Sequence, residues 1–238
     1  MASTSETGHN KNVANFTTAY QILEEMDVLY NPSNEKIQLA NLNPINTALK
    51  ACIKELNDQF PVYKNDVAAR ELIIEPLAKL MTRVINNAKS LDIADSNKEN
   101  IVSLASTIRG VKSAKKPNAE TAEDSSISTS QMSYDSRIAN LAALIALLAA
   151  TTKYAPNETE LKVTNLQTIH ASLEAASKAV NASGATIITA KKNRNNILYH
   201  NPSNVIQIMK DIKSYLLGLG DEGKPYYKAV VKLRFRGL

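Results

Sequence analysis

The chain has 238 residues, 44% of them hydrophobic, with seven Gly, eight Pro, three Phe and no Trp. This composition is globular, too poor in Gly and Pro for a sheet-rich or linker-rich chain, and demands a core of Leu, Ile, Val and Ala, which suits packed helices. The one cysteine excludes an internal disulfide, and the net charge of +5 hides an uneven split: residues 1–124 hold 14 Lys and Arg against 16 Asp and Glu, a net of −2, and residues 125–238 hold 14 against 7, a net of +7.

Residues 1–10 are polar and read as a disordered tail, with no apolar run of the kind an export signal needs, so the expectation is a cytoplasmic protein. Val13, Phe16, Tyr20, Leu23 and Met26 then recur at helical steps of three and four, predicting a helix from Lys11 to Val28. Asn31-Pro32-Ser33-Asn34 is a turn in which Ser33 or Asn34 can cap the next helix. That helix has the seam Leu42, Ile45, Leu49, Cys52 and Leu56, ending near Asn57, with Pro44 inside it as a kink or a late start. Cys52 lies in the seam and reads as a buried structural thiol. Gln59-Phe60-Pro61 predicts a hairpin turn, followed by a helix from Val62 to Ile74. After Pro76, Leu77 to Ser90 form a further helical face, Asp92 to Asn97 a polar turn, and Lys98 to Ile108 a short helix closed by Arg109-Gly110.

Residues 111–132 are rich in Ser, Thr and Lys and read as a linker, and the segment after them repeats the segment before. Leu42, Ile45, Leu49, Cys52 and Leu56 return as Leu166, Ile169, Leu173, Ala176 and Val180, a constant shift of 124. Tyr30-Asn31-Pro32 returns as Tyr154-Ala155-Pro156, and Arg70, Ile73 and Ile74 return as Arg194, Ile197 and Leu198, which makes these arginines candidates for internal structural roles. The second copy opens with Ser133 or Asp135 as cap and a helix from Ser136 to Ala150 whose apolar residues cover more than one face, a pattern expected between copies or at a subunit contact. Asn157 and Glu160 have capping-box spacing, and Asn181-Ala182-Ser183-Gly184 breaks the pattern where Gln59-Phe60-Pro61 does. Beyond His200-Asn201-Pro202-Ser203 the shift grows to 128, and four extra residues, about one helical turn, keep the apolar face aligned. The last strong helix ends at Gly218 or Gly220, and in the tail Lys232-Leu233-Arg234-Phe235-Arg236 alternates in a way that lets a short strand compete with a helix. The predicted architecture is therefore all-α: two tandem copies of an antiparallel helical bundle unit, pseudo-two-fold related, at residues 11–110 and 133–238, with the linker at 111–132.

The opening Met1-Ala2-Ser3-Thr4-Ser5-Glu6-Thr7-Gly8-His9, the runs Asn12-Val13-Ala14-Asn15-Phe16 and Tyr30-Asn31-Pro32-Ser33, and Ser130-Gln131-Met132-Ser133-Tyr134-Asp135-Ser136-Arg137 resemble a two-repeat all-helical family of Bacteroidota bacteria. The resemblance implies a bacterial, non-secreted, helical protein and brings no activity or catalytic residues with it.

The chain carries no Gly-rich phosphate loop, no Cys/His ligand cluster, no His-Glu-x-x-His and no nucleophile elbow, so no catalytic residue, cofactor or metal is expected. The three histidines, His9, His170 and His200, lack a second ligand at helical spacing. The reading preferred from sequence is a non-enzymatic structural or scaffold protein, a homo-oligomer or larger assembly, associating through the oppositely charged copies and through Leu141, Leu144, Ile145 and Leu148. The alternative is a basic module that binds nucleic acid or another anionic partner through Lys191, Lys192, Lys224, Lys228, Lys232, Arg234 and Arg236, interleaved with Tyr226, Tyr227 and Phe235 for stacking. A further alternative is a membrane-active protein using Ile138 to Ala150, a segment too short to span a bilayer.

Overall fold

A computed structural model describes residues 4–110 and 133–237, all-helical, with no strand among the described residues. The predicted linker at 111–132 lies outside them. The helices are α1 (Thr4–Glu24), α2 (Leu39–Ile74), α3 (Leu77–Ser90), α4 (Asp95–Arg109), α5 (Tyr134–Ala150), α6 (Val163–Asn195), α7 (Val205–Gly218) and α8 (Lys224–Val231). A 3-10 turn at Glu35–Ile37 precedes α2, another at Thr159–Leu161 precedes α6, and α6 runs into a π turn at Asn196–His200.

The chain packs as two compact units that cut across the sequence copies. Unit one is residues 1–61 with 184–238, and unit two is residues 62–183. The packing bodies are therefore not the segments 11–110 and 133–238: each unit takes the opening part of one copy and the closing part of the other. The reason is the placement of apolar faces. In unit one Phe16, Leu23, Leu42 and Leu49 are buried with Leu198, Val205, Met209, Ile212 and Leu216. In unit two Leu77, Met81, Val84 and Ile101 are buried with Leu141, Leu144, Leu148 and Leu166.

Within unit one, α7 packs on the 3-10 turn Glu35–Ile37 and α8 on both α1 and α7. Within unit two, α3 packs on the 3-10 turn Thr159–Leu161 and α4 on both α3 and α5. Both 3-10 turns are held by a tyrosine. The Tyr30 hydroxyl donates to the Ile37 carbonyl at 2.6 Å, and the Tyr154 hydroxyl donates to the Leu161 carbonyl at 2.9 Å, two bonds separated by the same shift of 124. Asn34 accepts from the Lys36 amide as the predicted cap, and Ser133 accepts from the Ser136 amide at the start of α5. Gly110, in the left-handed conformation at φ 76°, closes α4.

Five expectations are corrected. The predicted hairpins do not form: α2 passes through Pro61 and α6 through Gly184 without a turn. Both breakers fall at the boundary between the two packing units, so they mark a change of packing partner. A proline inside a helix loses one amide donor, a defect of about 3 kcal/mol that a long helix packed on both sides of it absorbs. The tail assignment fails over residues 4–10, which are the first turns of α1, polar yet tied to unit one through His9; residues 1–3 lie outside the described residues. The capping box does not form: Glu158 is the N-cap without a side-chain bond, and Glu160 pairs with Arg83. The competing strand at 232–236 does not form: Lys232 still has helical backbone angles, Leu233 lies in a bend, and residues 234–236 have no regular structure.

The fifth correction concerns α5. Leu141, Leu144, Ile145 and Leu148 are buried in unit two's own core, so they offer no exposed surface on the folded chain for self-association. The apparent excess of apolar faces is Ala142, Ala143, Ala146 and Ala149, exposed residues that favour the helix and bury little area. Within unit two, α5 packs on α4.

This packing sets the response to two substitutions. Leu144→Ala should lower unfolding free energy by about 2–5 kcal/mol in urea melts and leave the native particle mass unchanged, because it opens a cavity in an internal core. Tyr154→Phe should cost about 1–3 kcal/mol, since it strands the buried Leu161 carbonyl. Burial and the nearby Glu158 push the Tyr154 hydroxyl up to about 12 from 10.0. The folded state thus holds the proton more tightly than the unfolded one, and the contribution is complete below pH 10 and fades between pH 10 and about 12. Melts of Tyr154→Phe should lose less stability than the parent across that window.

Candidate functional site

The candidate site grows from the end of α7 onward. Gly220 takes φ 66°, and a Cβ at Gly223 would stand 2.3 Å from the Leu216 carbonyl oxygen, so these two glycines permit the tight reversal from α7 into α8. Pro225 occupies the first turn of α8, where its missing amide costs nothing. Lys224, Lys228 and Lys232 recur at i, i+4 and i+8 along that helical run and are exposed, while Tyr226 and Tyr227 pack against the core of unit one. The C-terminal segment after α8 alternates in exposure: Arg234 and Arg236 are exposed, and Leu233 and Phe235 pack inward. The aromatics proposed for base stacking are thus engaged with the protein's own core, and the cations remain on the outside.

This C-terminal segment is strapped to α1 by side-chain amides. Asn12 donates from Nδ2 to the Arg236 carbonyl at 2.8 Å and accepts from the Arg236 amide at 3.0 Å, and Asn15 donates to the Arg234 carbonyl at 2.8 Å. An asparagine amide has one acceptor and one donor side, so Asn12 substitutes for the strand neighbour that the segment lacks. Asn12 is itself 0% exposed and also donates to the Tyr199 hydroxyl at 2.9 Å, which lies 2.7 Å from His9 Nδ1. Tyr199 comes from the π turn, immediately before His200-Asn201-Pro202-Ser203. Burial raises the Tyr199 hydroxyl above its ordinary pKa, with the Asn12 bond and the Arg194 charge acting in the opposite sense.

Of the other sequence-derived candidates, Lys192 is exposed, whereas Lys191 sits over the Phe60 ring at 5.4 Å from its centroid. Arg194, the repeated arginine, is 1% exposed and donates through Nε and Nη2 to Asn195 Oδ1. Its counterpart Arg70 lies over the Tyr134 ring at 3.5 Å in unit two. Both are internal. Cys52 is half-buried with its thiol pKa raised by burial and Glu55, which keeps it protonated at neutral pH.

The strap ends at Gly237 beside a cleft of about 410 Å³ lined by Tyr199, His200, Asn204, Gln207 and Lys210. Unit two has a more apolar cleft of about 370 Å³, floored by Ile73, Leu77, Leu80 and Ile169 and rimmed by Lys79 and the Arg83–Glu160 ion pair. Among the described residues no three His, Cys, Asp or Glu side chains are placed to hold a metal ion, and no helix is long and apolar enough to cross a membrane. The acidic and basic segments of the chain meet inside one unit: by sequence, residues 1–61 hold 4 Lys and Arg against 7 Asp and Glu, and residues 184–238 hold 10 against 3.

Sequence reasoning found the cations and missed what positions them. Asn12 and Asn15 stand three apart on α1, a spacing shared by countless solvated faces, and nothing in the pattern told that a distant strap would cover Asn12. Comparisons with protein-family models, with curated proteins and with solved structures returned no match.

Asn12→Ala should free the strap. Hydrogen exchange at the Arg236 amide should accelerate at least tenfold, and stability should fall by about 1–3 kcal/mol through the unpaired Arg236 groups. Asn15→Ala, which removes one exposed bond, should do much less.

Proposed function

We propose that the protein is a non-enzymatic helical scaffold, a duplicated bundle unit, that receives an anionic partner along the basic row of α8 and the C-terminal strap. The observation that carries this reading is the division of labour in residues 224–236: Tyr226, Tyr227, Leu233 and Phe235 are turned to the core, and Lys224, Lys228, Lys232, Arg234 and Arg236 are left exposed. Because α1 already holds the strap backbone, a ligand meeting these cations need not pay for ordering it. The nearby Lys210 extends the same chemistry into the adjoining cleft. The duplication itself is supported by the equal 14-residue lengths of α3 and α7 and by the matching tyrosine bonds.

A phosphate-rich polymer is the natural probe, since contacts of this kind release counterions and weaken steeply with salt. Anisotropy of a labelled oligonucleotide should show binding at low salt that falls at least tenfold by moderate salt. Lys228→Glu with Arg234→Glu and Arg236→Glu should lower low-salt affinity at least tenfold. A control carrying the same charge change at Lys54, Lys89 and Lys162 should retain it; equal loss in both, or no binding at low salt, would sink the reading.

A second reading, self-association of the scaffold through helical faces, is favoured by the exposed apolar side chains Leu72, Ile188 and Leu217.

A further inference from the structure

Each half of this chain is the other half's packing partner, twice over. Phe16 and Leu49 of the N-terminal half are buried with Met209 and Leu216 of the C-terminal half in unit one. Met81 and Ile101 of the N-terminal half are buried with Leu141 and Leu166 of the C-terminal half in unit two. Polar contacts obey the same rule in unit one, where Asn12 holds Arg236 and the Asn31 amide donates to the Tyr215 hydroxyl at 3.0 Å. In unit two Lys153 pairs with Asp92 at 2.7 Å. Against all of these contacts, only the single covalent path through residues 111–132 joins the halves.

From this we infer that the partner this protein is built to take is a second copy of itself, by exchange of halves: the N-terminal half of one chain accepts the C-terminal half of another in place of its own. The interaction surface is then the core face of each half, and no outer surface is needed. Every buried contact of the closed chain is reproduced in the exchanged form, so the interaction energy is the same in both. What separates them is concentration. Tethering keeps a chain's own partner half at an effective concentration of order 1 mM, so dilute chains close on themselves and crowded ones exchange. Reciprocal exchange closes a dimer, and exchange passed on from chain to chain leaves an open row. Opening both cores is slow once they have formed, so exchange occurs during folding and the product then persists. The inference rests on the packing of the two halves and is independent of the anionic surface.

The test uses the full chain with a protease recognition sequence inserted between residues 111 and 132. The protein is unfolded in denaturant and refolded at micromolar concentration and again at about 1 mM, near the effective concentration, and particle mass is read by light scattering after chromatography. Dimers and larger species should rise at least fivefold at the higher concentration, and chains with two isotope labels refolded together should give mixed particles. On cleavage under native conditions those particles should fall to the mass of one chain, because each then consists of one N-terminal and one C-terminal half held only by their cores. Particles that keep their mass after cleavage would show association through outer faces and overturn the exchange, while leaving self-association through helical faces intact. A refolded protein that is monomeric at both concentrations would overturn it as well.

Discussion

The constraint on which this structure depends is that neither half of the chain can bury its own apolar face. α1 and the first turns of α2 are closed by α7 and α8, and α3 and α4 are closed by α5 and the first turns of α6. Both long helices therefore have to change packing partners part of the way along, and both carry a residue poorly suited to a helix at that place, Pro61 in one and Gly184 in the other. In most helices such a residue would be a stop signal. Here the gain from packing on either side exceeds the local penalty, and the helix continues.

The same local bonds recur in the two units, in different surroundings. A tyrosine hydroxyl pins the 3-10 turn ahead of α2 and again ahead of α6, and a buried or stacked arginine comes near the far end of each long helix. Around this framework the two units differ. Unit one gains the π turn with Tyr199, the Asn12 clasp and the basic strap, while unit two gains an apolar cleft beside Arg83 and Glu160.

Charge placement is a product of this arrangement. Read by sequence halves, the chain looks like an acidic body and a basic body awaiting each other. Folded, an acidic opening segment and a basic closing segment share unit one, and the exposed cations from Lys224 to Arg236 form a local row on its outside. Local placement decides what a partner meets, because beyond about 10 Å exposed charges are screened at ordinary ionic strength.

The helical class, the bounds of α3, α4 and α7 to within a few residues, the caps at Asn34 and Ser133 and the shift of 124 were all legible in the amino acids, because they depend on periodicity and on short-range hydrogen bonding. The cations of the candidate site were legible for the same reason. What could not be read was which apolar face meets which. Leu141 to Leu148 have the same signature whether they meet another molecule or the chain's own α4, and a polar opening segment gives no sign that Asn12 will be sealed beneath Arg236. Periodicity specifies that a face must be covered and is silent on its cover; only the tertiary structure, which matches whole faces by shape and area, decided that each half would be covered by the other.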